Sequence, residues 1–250
     1  MDDAFRLEGR LAVVTGGSRG IGFAIARAFV DAGARVVITA RNADQLREAE
    51  AALGPNAIGK VCDNADPAQI ARAAEEAWRL QPVTVLVNNA GVSSFYKRAE
   101  FVTVEDWDPA FDINVRGTFF WSAEIARRLF EAKLGGSIIN MSSVAASQPL
   151  ARLSVYGATK AAMDSLSRGL ALEWADRGVR VNSIAPGWVD TDFTSDLFAS
   201  RWGETLRADV PLGRVANAAD ITGAALYLAS DASSYVTGTV LTIDGGRSLR

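Results

Sequence analysis

The chain has no histidine among its 250 residues. That absence excludes Ser-His-Asp and Cys-His catalysis and speaks against an ordinary zinc enzyme. Cysteine is nearly missing too: Cys62 is the only one, so no intrachain disulfide can form. Its neighbours in sequence carry no sign of a reactive site. It reads as a core thiol, suited to a reducing compartment. Positive charge is not in excess, with 26 Lys and Arg against 29 Asp and Glu and a net charge of −3. This balance argues against a general nucleic-acid surface. No uninterrupted apolar run is long enough to span a bilayer. The opening stretch "MDDAFRLEGR" is acidic and polar rather than a signal peptide. These absences lead us to expect a cytoplasmic protein with neither a nucleic-acid nor a membrane partner.

What is present is a globular composition, 49% hydrophobic and 22% charged. Short β-branched runs alternate with longer amphipathic stretches. The runs are Leu11 to Thr15, Arg35 to Ala40, "AIGKVC" (57–62), Val83 to Asn88, Gly136 to Met141, Val179 to Ala185 and Val240 to Asp244. Between them lie helical patterns, from Gly20 to about Ala32, through "NADQLREAEAAL" (42–53), and through "DPAQIARAAEEAWRL" (66–80) with Asp66 and Pro67 as N-cap and first helical position. The runs lack clean alternation, as parallel strands covered on both faces do. They predict an α/β fold: a single domain over 1–250 with one doubly wound, Rossmann-type, seven-stranded parallel sheet. No linker, repeat or low-complexity segment marks a second domain.

The first run leads directly into "TGGSRGIG" (15–22). Glycines at 16, 20 and 22 permit a tight turn, close approach of backbone to a pyrophosphate, and close helix–strand packing. The spacing is G-x-x-x-G-x-G, not the commoner G-x-G-x-x-G. An NAD site usually has an acidic residue at the end of the second strand. Here Ala40 is followed by Arg41, and Arg19 lies in the glycine turn. Two guanidiniums suit a 2′-phosphate, so NADP(H) is the expected cofactor; solvated surface arginines are the plain alternative.

In "SVYGATKAA", Tyr156 stands four residues before Lys160, on one face of a helix. Bringing a phenol from about 10 to about 7 requires roughly 4 kcal/mol. A cation at ~4 Å in an effective dielectric of ~20 supplies about that much. The pair is therefore expected to form a usable general acid or base.

Five segments in order, "TGGSRGIG", "NNAG" (88–91), "NMSSVAA" (140–146), "YGATK" (156–160) and "PGWVDT" (186–191), resemble the motifs of the short-chain dehydrogenase/reductase family, and the resemblance covers nearly the whole chain. It implies that Tyr156 exchanges a proton with the substrate oxygen. Lys160 would hold the nicotinamide ribose and lower the tyrosine pKa. Ser143, easily confused with Ser142, would bind the same oxygen, and Asn114 in "DINVRG" would hold a water for a proton relay. Implied cofactor contacts are Gly16, Ser18, Arg19, Gly20, Ile21 and Gly22 at the turn, and Arg41 at the ribose. Asp63 and Asn64 would lie by the adenine, Asn89, Ala90 and Gly91 after the fourth strand, and Pro186, Gly187, Val189 and Thr191 near the nicotinamide. No metal is implied. The chain departs from the family at Ala146, where a glycine is usual, and at Thr84, where an aspartate is usual.

The activity expected is hydride transfer between NADP(H) and a ketone or secondary alcohol. A non-catalytic nucleotide sensor would be expected to lose Tyr156 or Lys160. Sugar-nucleotide epimerases of the longer relatives need a larger C-terminal domain. A carrier-protein-linked 3-oxoacyl reductase stays open, weakened by Leu134 and the net acidity. The substrate is expected against an insertion at about 190–212, rich in Phe193, Leu197, Phe198 and Trp202. The amphipathic segments Pro109 to Lys133 and Ser154 to Arg177 imply a homotetramer, as relatives form.

Overall fold

The computed structural model describes residues 3–93, 96–191, 194, 198–199 and 203–250. Strand β1 (Leu11–Thr15) is buried along its whole length. It pairs in parallel with β2 (Arg35–Ala40) on one side and with β4 (Val83–Asn88) on the other. The sheet continues outward to β3 (Ala57–Val61) at one edge and through β5 (Gly136–Met141), β6 (Val179–Pro186) and β9 (Val240–Ile243) to the other. All seven strands run parallel, in the order β3-β2-β1-β4-β5-β6-β9. A further two-residue pairing of β7 (Val189–Asp190) with β8 (Ala216–Asn217) was not expected from sequence.

Alternate residues of each strand feed two apolar layers. Ala12, Val14, Val36 and Ile38 pack under α1 (Gly20–Asp31), α2 (Ala43–Leu53) and α8 (Ala219–Ala229). Leu11, Val13, Val37 and Leu86 pack under α3 (Pro67–Leu80), α5 (Thr118–Ala132) and α6 (Ser154–Trp174). Cys62 belongs to this second layer, and burial pushes its thiol up to about 12, so it is the inert core thiol expected. Helix starts follow local chemistry. The Asn42 side chain accepts from the Asp44 and Gln45 N–H groups, and Asp66 accepts from Ala68 and Gln69 ahead of Pro67.

One element departs from the expected pattern. The segment from Pro109 to Lys133 is not one helix. It comprises the end of α4 (Val104–Phe111), a π-helical turn at Asp112–Gly117, and α5. Among the described residues no helix is long and apolar enough to cross a membrane. Phe193, Leu197 and Trp202 of the expected insertion lie outside the described residues. Of that segment, α7 (Gly203–Ala208) is helical, and Phe198 is buried with its ring 6.2 Å from that of Trp188. The sheet order reverses direction at β1, which opens a crevice at the carboxyl ends of β1 and β4.

Candidate active site

The crevice is built first from the glycine turn. Gly16 and Gly20 have φ of +64° and +56°, a region glycine enters without strain. A Cβ on Gly22 would lie 2.4 Å from both the Asn89 amide nitrogen and the Gly16 carbonyl oxygen. Arg19 is the N-cap of α1, and its side chain makes no cap hydrogen bond to that helix. The loop after β4 is stitched to the turn. Thr15 Oγ1 accepts from the Asn89 and Ala90 N–H groups at 3.0 and 2.9 Å, and Asn89 Nδ2 donates to the Thr15 and Gly16 carbonyls at 2.9 and 3.1 Å. Asn89 thus shapes the glycine turn with its amide.

Asn64 is likewise occupied. Its Nδ2 donates to the Ile113 carbonyl at 2.8 Å, and Gly117 leaves no room for a Cβ beside it. The Asp63 carboxylate accepts from the Ala65 N–H at 3.0 Å. Across the crevice, Thr191 supplies the side-chain atom nearest the open side of Gly20, 3.7 Å from where a Cβ would stand. Pro186 ends β6, Gly187 packs on Asp244 too closely for a side chain, and Val189 is buried in β7. Ser18 and Ile21 are half-buried at the turn, and Arg19 and Arg41 are exposed beside it. A groove of about 360 Å³ between α1 and α2 is lined by Ser18, Arg19, Phe23, Gln45 and Glu48.

These features fit a dinucleotide phosphate. The N-terminus of α1 meets Gly16 and Gly22, where a Cβ would crowd the Asn89 amide and its surroundings. At the end of β2, Ala40 and Arg41 present no carboxylate to a ribose phosphate.

The second half of the site rests on α6. Tyr156, half-buried in its first turn, is hydrogen-bonded to the Ser143 hydroxyl. Ser143 also accepts from the Ala145 N–H at 3.1 Å, which holds the serine at the end of β5. Ser142 points elsewhere: it is buried, with Oγ 3.4 Å from the Lys160 carbonyl. Lys160 is only 4% exposed. Its Nζ donates to the Met141 carbonyl at 2.6 Å, lies 3.6 Å from the Met163 sulfur, and is 5.6 Å from the centre of the Tyr156 ring. Asn114, in the π turn, accepts from the Val92 N–H at 2.8 Å and donates to the Val92 carbonyl and to Thr159 Oγ1 at 2.9 and 3.0 Å. A Cβ on Gly91 would stand 3.3 Å from Asn114 Oδ1 and 3.5 Å from Lys160 Nζ, so the two groups flank that glycine.

The electrostatics correct one expectation. The phenol of Tyr156 is raised, not lowered. Burial is the larger cause, and the Ser143 hydrogen bond, which favours the phenolate, only partly offsets it. The ammonium is engaged by the Met141 carbonyl at 2.6 Å and lies 5.6 Å from the centre of the phenol ring. Burial also lowers Lys160, from 10.5 to about 8, against the opposing pull of the Asp164 carboxylate. The pair therefore holds a neutral phenol above a cation that is itself near its titration point.

Several residues that shape the site were not singled out from sequence. Thr15 and Thr159 act as hydroxyl hubs for the loops carrying Asn89 and Asn114. Beneath the site, Asn88 donates to Asn140 Oδ1 and to Ser122 Oγ, Asn140 donates to Ser167, and Ser183 donates to Ser167. All of these residues are buried. The available signal was asparagine at the end of otherwise apolar strands, in "VTVLVN" and "GSIINM".

A family model described as enoyl-(acyl carrier protein) reductase matches residues 16–248. The chain is 39% identical to a D-threitol dehydrogenase of Mycolicibacterium smegmatis, over 100% of this chain and 97% of that protein. It is 38% identical to an NADP-dependent (R)-specific alcohol dehydrogenase of Lentilactobacillus kefiri, over 96% and 97% of the two chains. A crystal structure of a gluconate 5-dehydrogenase from Burkholderia cenocepacia, in complex with NADP and tartrate, superposes with a TM-score of 0.93 at 34% identity, covering 99% of this chain and 98% of that one. Motif order, sheet topology and matches over the full length agree: the chain belongs to the short-chain dehydrogenase/reductase family.

Proposed function

We propose that the protein is an NADP(H)-dependent dehydrogenase that interconverts a secondary alcohol of a polyol or sugar acid with the corresponding ketone. The observation that carries this reading is the hydrogen-bonded Ser143–Tyr156 pair above the buried Lys160 ammonium, at the mouth of a glycine-lined crevice. Bound in that crevice, NADP(H) supplies or accepts the hydride. Ser143 and Tyr156 hold the substrate oxygen between them. In ketone reduction the neutral phenol gives its proton to that oxygen as negative charge develops on it, and in alcohol oxidation the phenolate takes the proton back. The Ser143 hydrogen bond favours the phenolate half of this cycle. Lys160 also binds the ribose hydroxyls, and Asn114, across Gly91 from it, orders the water that returns the proton to solvent.

The glycine turn (Gly16, Ser18, Gly20, Ile21, Gly22) receives the pyrophosphate, and Arg19 and Arg41 receive the 2′-phosphate. Asp63 and Asn64 border the adenine, Asn89, Ala90 and Gly91 the adjoining ribose, and Pro186, Gly187, Val189 and Thr191 the nicotinamide amide. Related dehydrogenases acting on threitol and gluconate support a polyhydroxylated substrate. The single unpaired, buried Cys62 supports a cytoplasmic location. Strongly exposed Leu172 on α6, and Tyr235 and Leu249 near the C-terminus, support a homotetramer, which gel filtration checks.

The direct test is turnover. NADP+ with threitol, gluconate and a simple secondary alcohol, and NADPH with the matching ketones, should give cofactor-dependent absorbance changes with at least one pair. Tight NADPH binding without turnover on any of them, while an acetoacetyl thioester is reduced, would move the assignment to the carrier-linked reductase. Binding with no turnover at all would leave a nucleotide sensor.

A further inference from the structure

The buried face of α6 carries one charged side chain that the mechanism above does not use. Asp164 follows Lys160 by one helical turn, and both lie on the buried face of the helix, 7% and 4% exposed. Asp164 Oδ1 is buried and has no hydrogen-bond partner among the described residues. An ionisable oxygen in that state is costly unless a nearby charge compensates it. Farther along the helix the buried positions Ser167, Leu170, Ala171 and Trp174 offer no cation, and Arg168, one turn beyond Asp164, is exposed.

The groups around the Lys160 ammonium narrow what can compensate it. From β5 it meets the Met141 carbonyl, from its own helix the Met163 sulfur, and across Gly91 the Asn114 amide, none of which titrates. The titratable groups beside it are Tyr156 and Asp164, one turn to either side on α6. Burial opposes the ammonium charge and the Asp164 carboxylate supports it.

We propose that Asp164 is a positioning residue for the Tyr156–Lys160 pair, its carboxylate keeping the lysine charged inside a site from which water is largely excluded. The inference rests on the role given to Lys160 above. Without Asp164 the lysine would be discharged over more of the working pH range. The ribose contact would then be lost.

The test is Asp164→Asn in the full-length protein, with Asp164→Ala as the second variant should the amide impair folding. Two profiles are measured from about pH 6 to about pH 9: kcat/KM for NADPH-driven ketone reduction, and Kd for NADPH from nicotinamide fluorescence, which needs no turnover. For the native protein the alkaline limb should fall near 8, where Lys160 loses its proton. In the variant both limbs should move down by about one pH unit, a tenfold change in proton affinity, with the two proteins alike near about pH 6. Superimposable profiles would overturn the proposal, as would a variant weakened by the same factor at every pH, which is what a packing role predicts. Tyr156→Phe keeps the two readings apart. If that variant still turns over while the Asp164 limbs shift, the tyrosine assignment falls and the Asp164–Lys160 coupling stands. If it is inactive and the Asp164 profiles superimpose, the reverse holds.

Discussion

Lys160→Met should destroy activity and yet make the folded chain more stable. The ammonium is 4% exposed and titrates at about 8 instead of 10.5. A difference of about 2.5 in pKa, the net of burial and the opposing attraction of Asp164, corresponds to roughly 3 kcal/mol against the charged lysine. Methionine keeps the length of the side chain and removes the charge, but it leaves the Met141 carbonyl without its charged donor, a loss of about 1.5–3 kcal/mol. The net gain is up to about 2 kcal/mol, or up to about 4–8 °C in Tm for a chain of this size. The pH dependence fixes the sign independently. Below about 8 the lysine is protonated in both folded and unfolded states, and the native protein bears the full burial cost. Between about 8 and 10.5 the unfolded chain still holds the proton and the folded chain does not, so native stability rises with pH. The advantage of the variant must therefore be largest at neutral pH and shrink toward 10. Tyr156, which burial raises, is common to both proteins, so its titration cancels from the difference between them. Urea or thermal denaturation of the two proteins across this pH range measures the gap. A variant less stable than the native chain at neutral pH, or a gap that does not narrow as pH rises, would refute the reasoning. The same variant should bind NADPH more weakly, as the proposed ribose contact requires.

Tyr156→Phe should fold and bind NADPH but lose at least ~100-fold in kcat, the scale of a general acid; near-native turnover would remove the phenol from the mechanism. Cofactor choice should follow the corner after β2. One or two charge-assisted bonds from Arg19 and Arg41, at roughly 1.5–3 kcal/mol each less solvent screening, should favour NADPH over NADH by tens- to thousands-fold in kcat/KM. Ala40→Asp with Arg41→Ser should shift that preference toward NADH, by repulsion as well as lost attraction. Equal use of both cofactors by the unmodified chain would defeat the phosphate assignment of the two arginines.

Most of this protein's architecture was determined by local chemistry and is legible without coordinates. Strands β1, β2, β4 and β5 begin and end where their β-branched runs do, because a parallel strand buried on both faces tolerates few polar residues. Asn42 and Asp66 start α2 and α3 because their side chains satisfy free N–H groups at short range. The glycine turn and the four-residue spacing of Tyr156 and Lys160 are likewise local facts. Tertiary structure decided whatever depends on distance between remote segments. It separated Ser143 from Ser142, since only the packing of β5 against α6 determines which hydroxyl meets the phenol. It placed a π turn at Asn114, where the amphipathic pattern continues unbroken, and pinned it by bonds to Val92 and Thr159. It turned the Asn64 and Asn89 amides toward backbone carbonyls. It also reversed the expected sign at Tyr156. Helix spacing sets how near the cation can be, but the loss of water around the phenol, which outweighs the hydrogen bond to Ser143, comes from the closing of segments far apart in the chain.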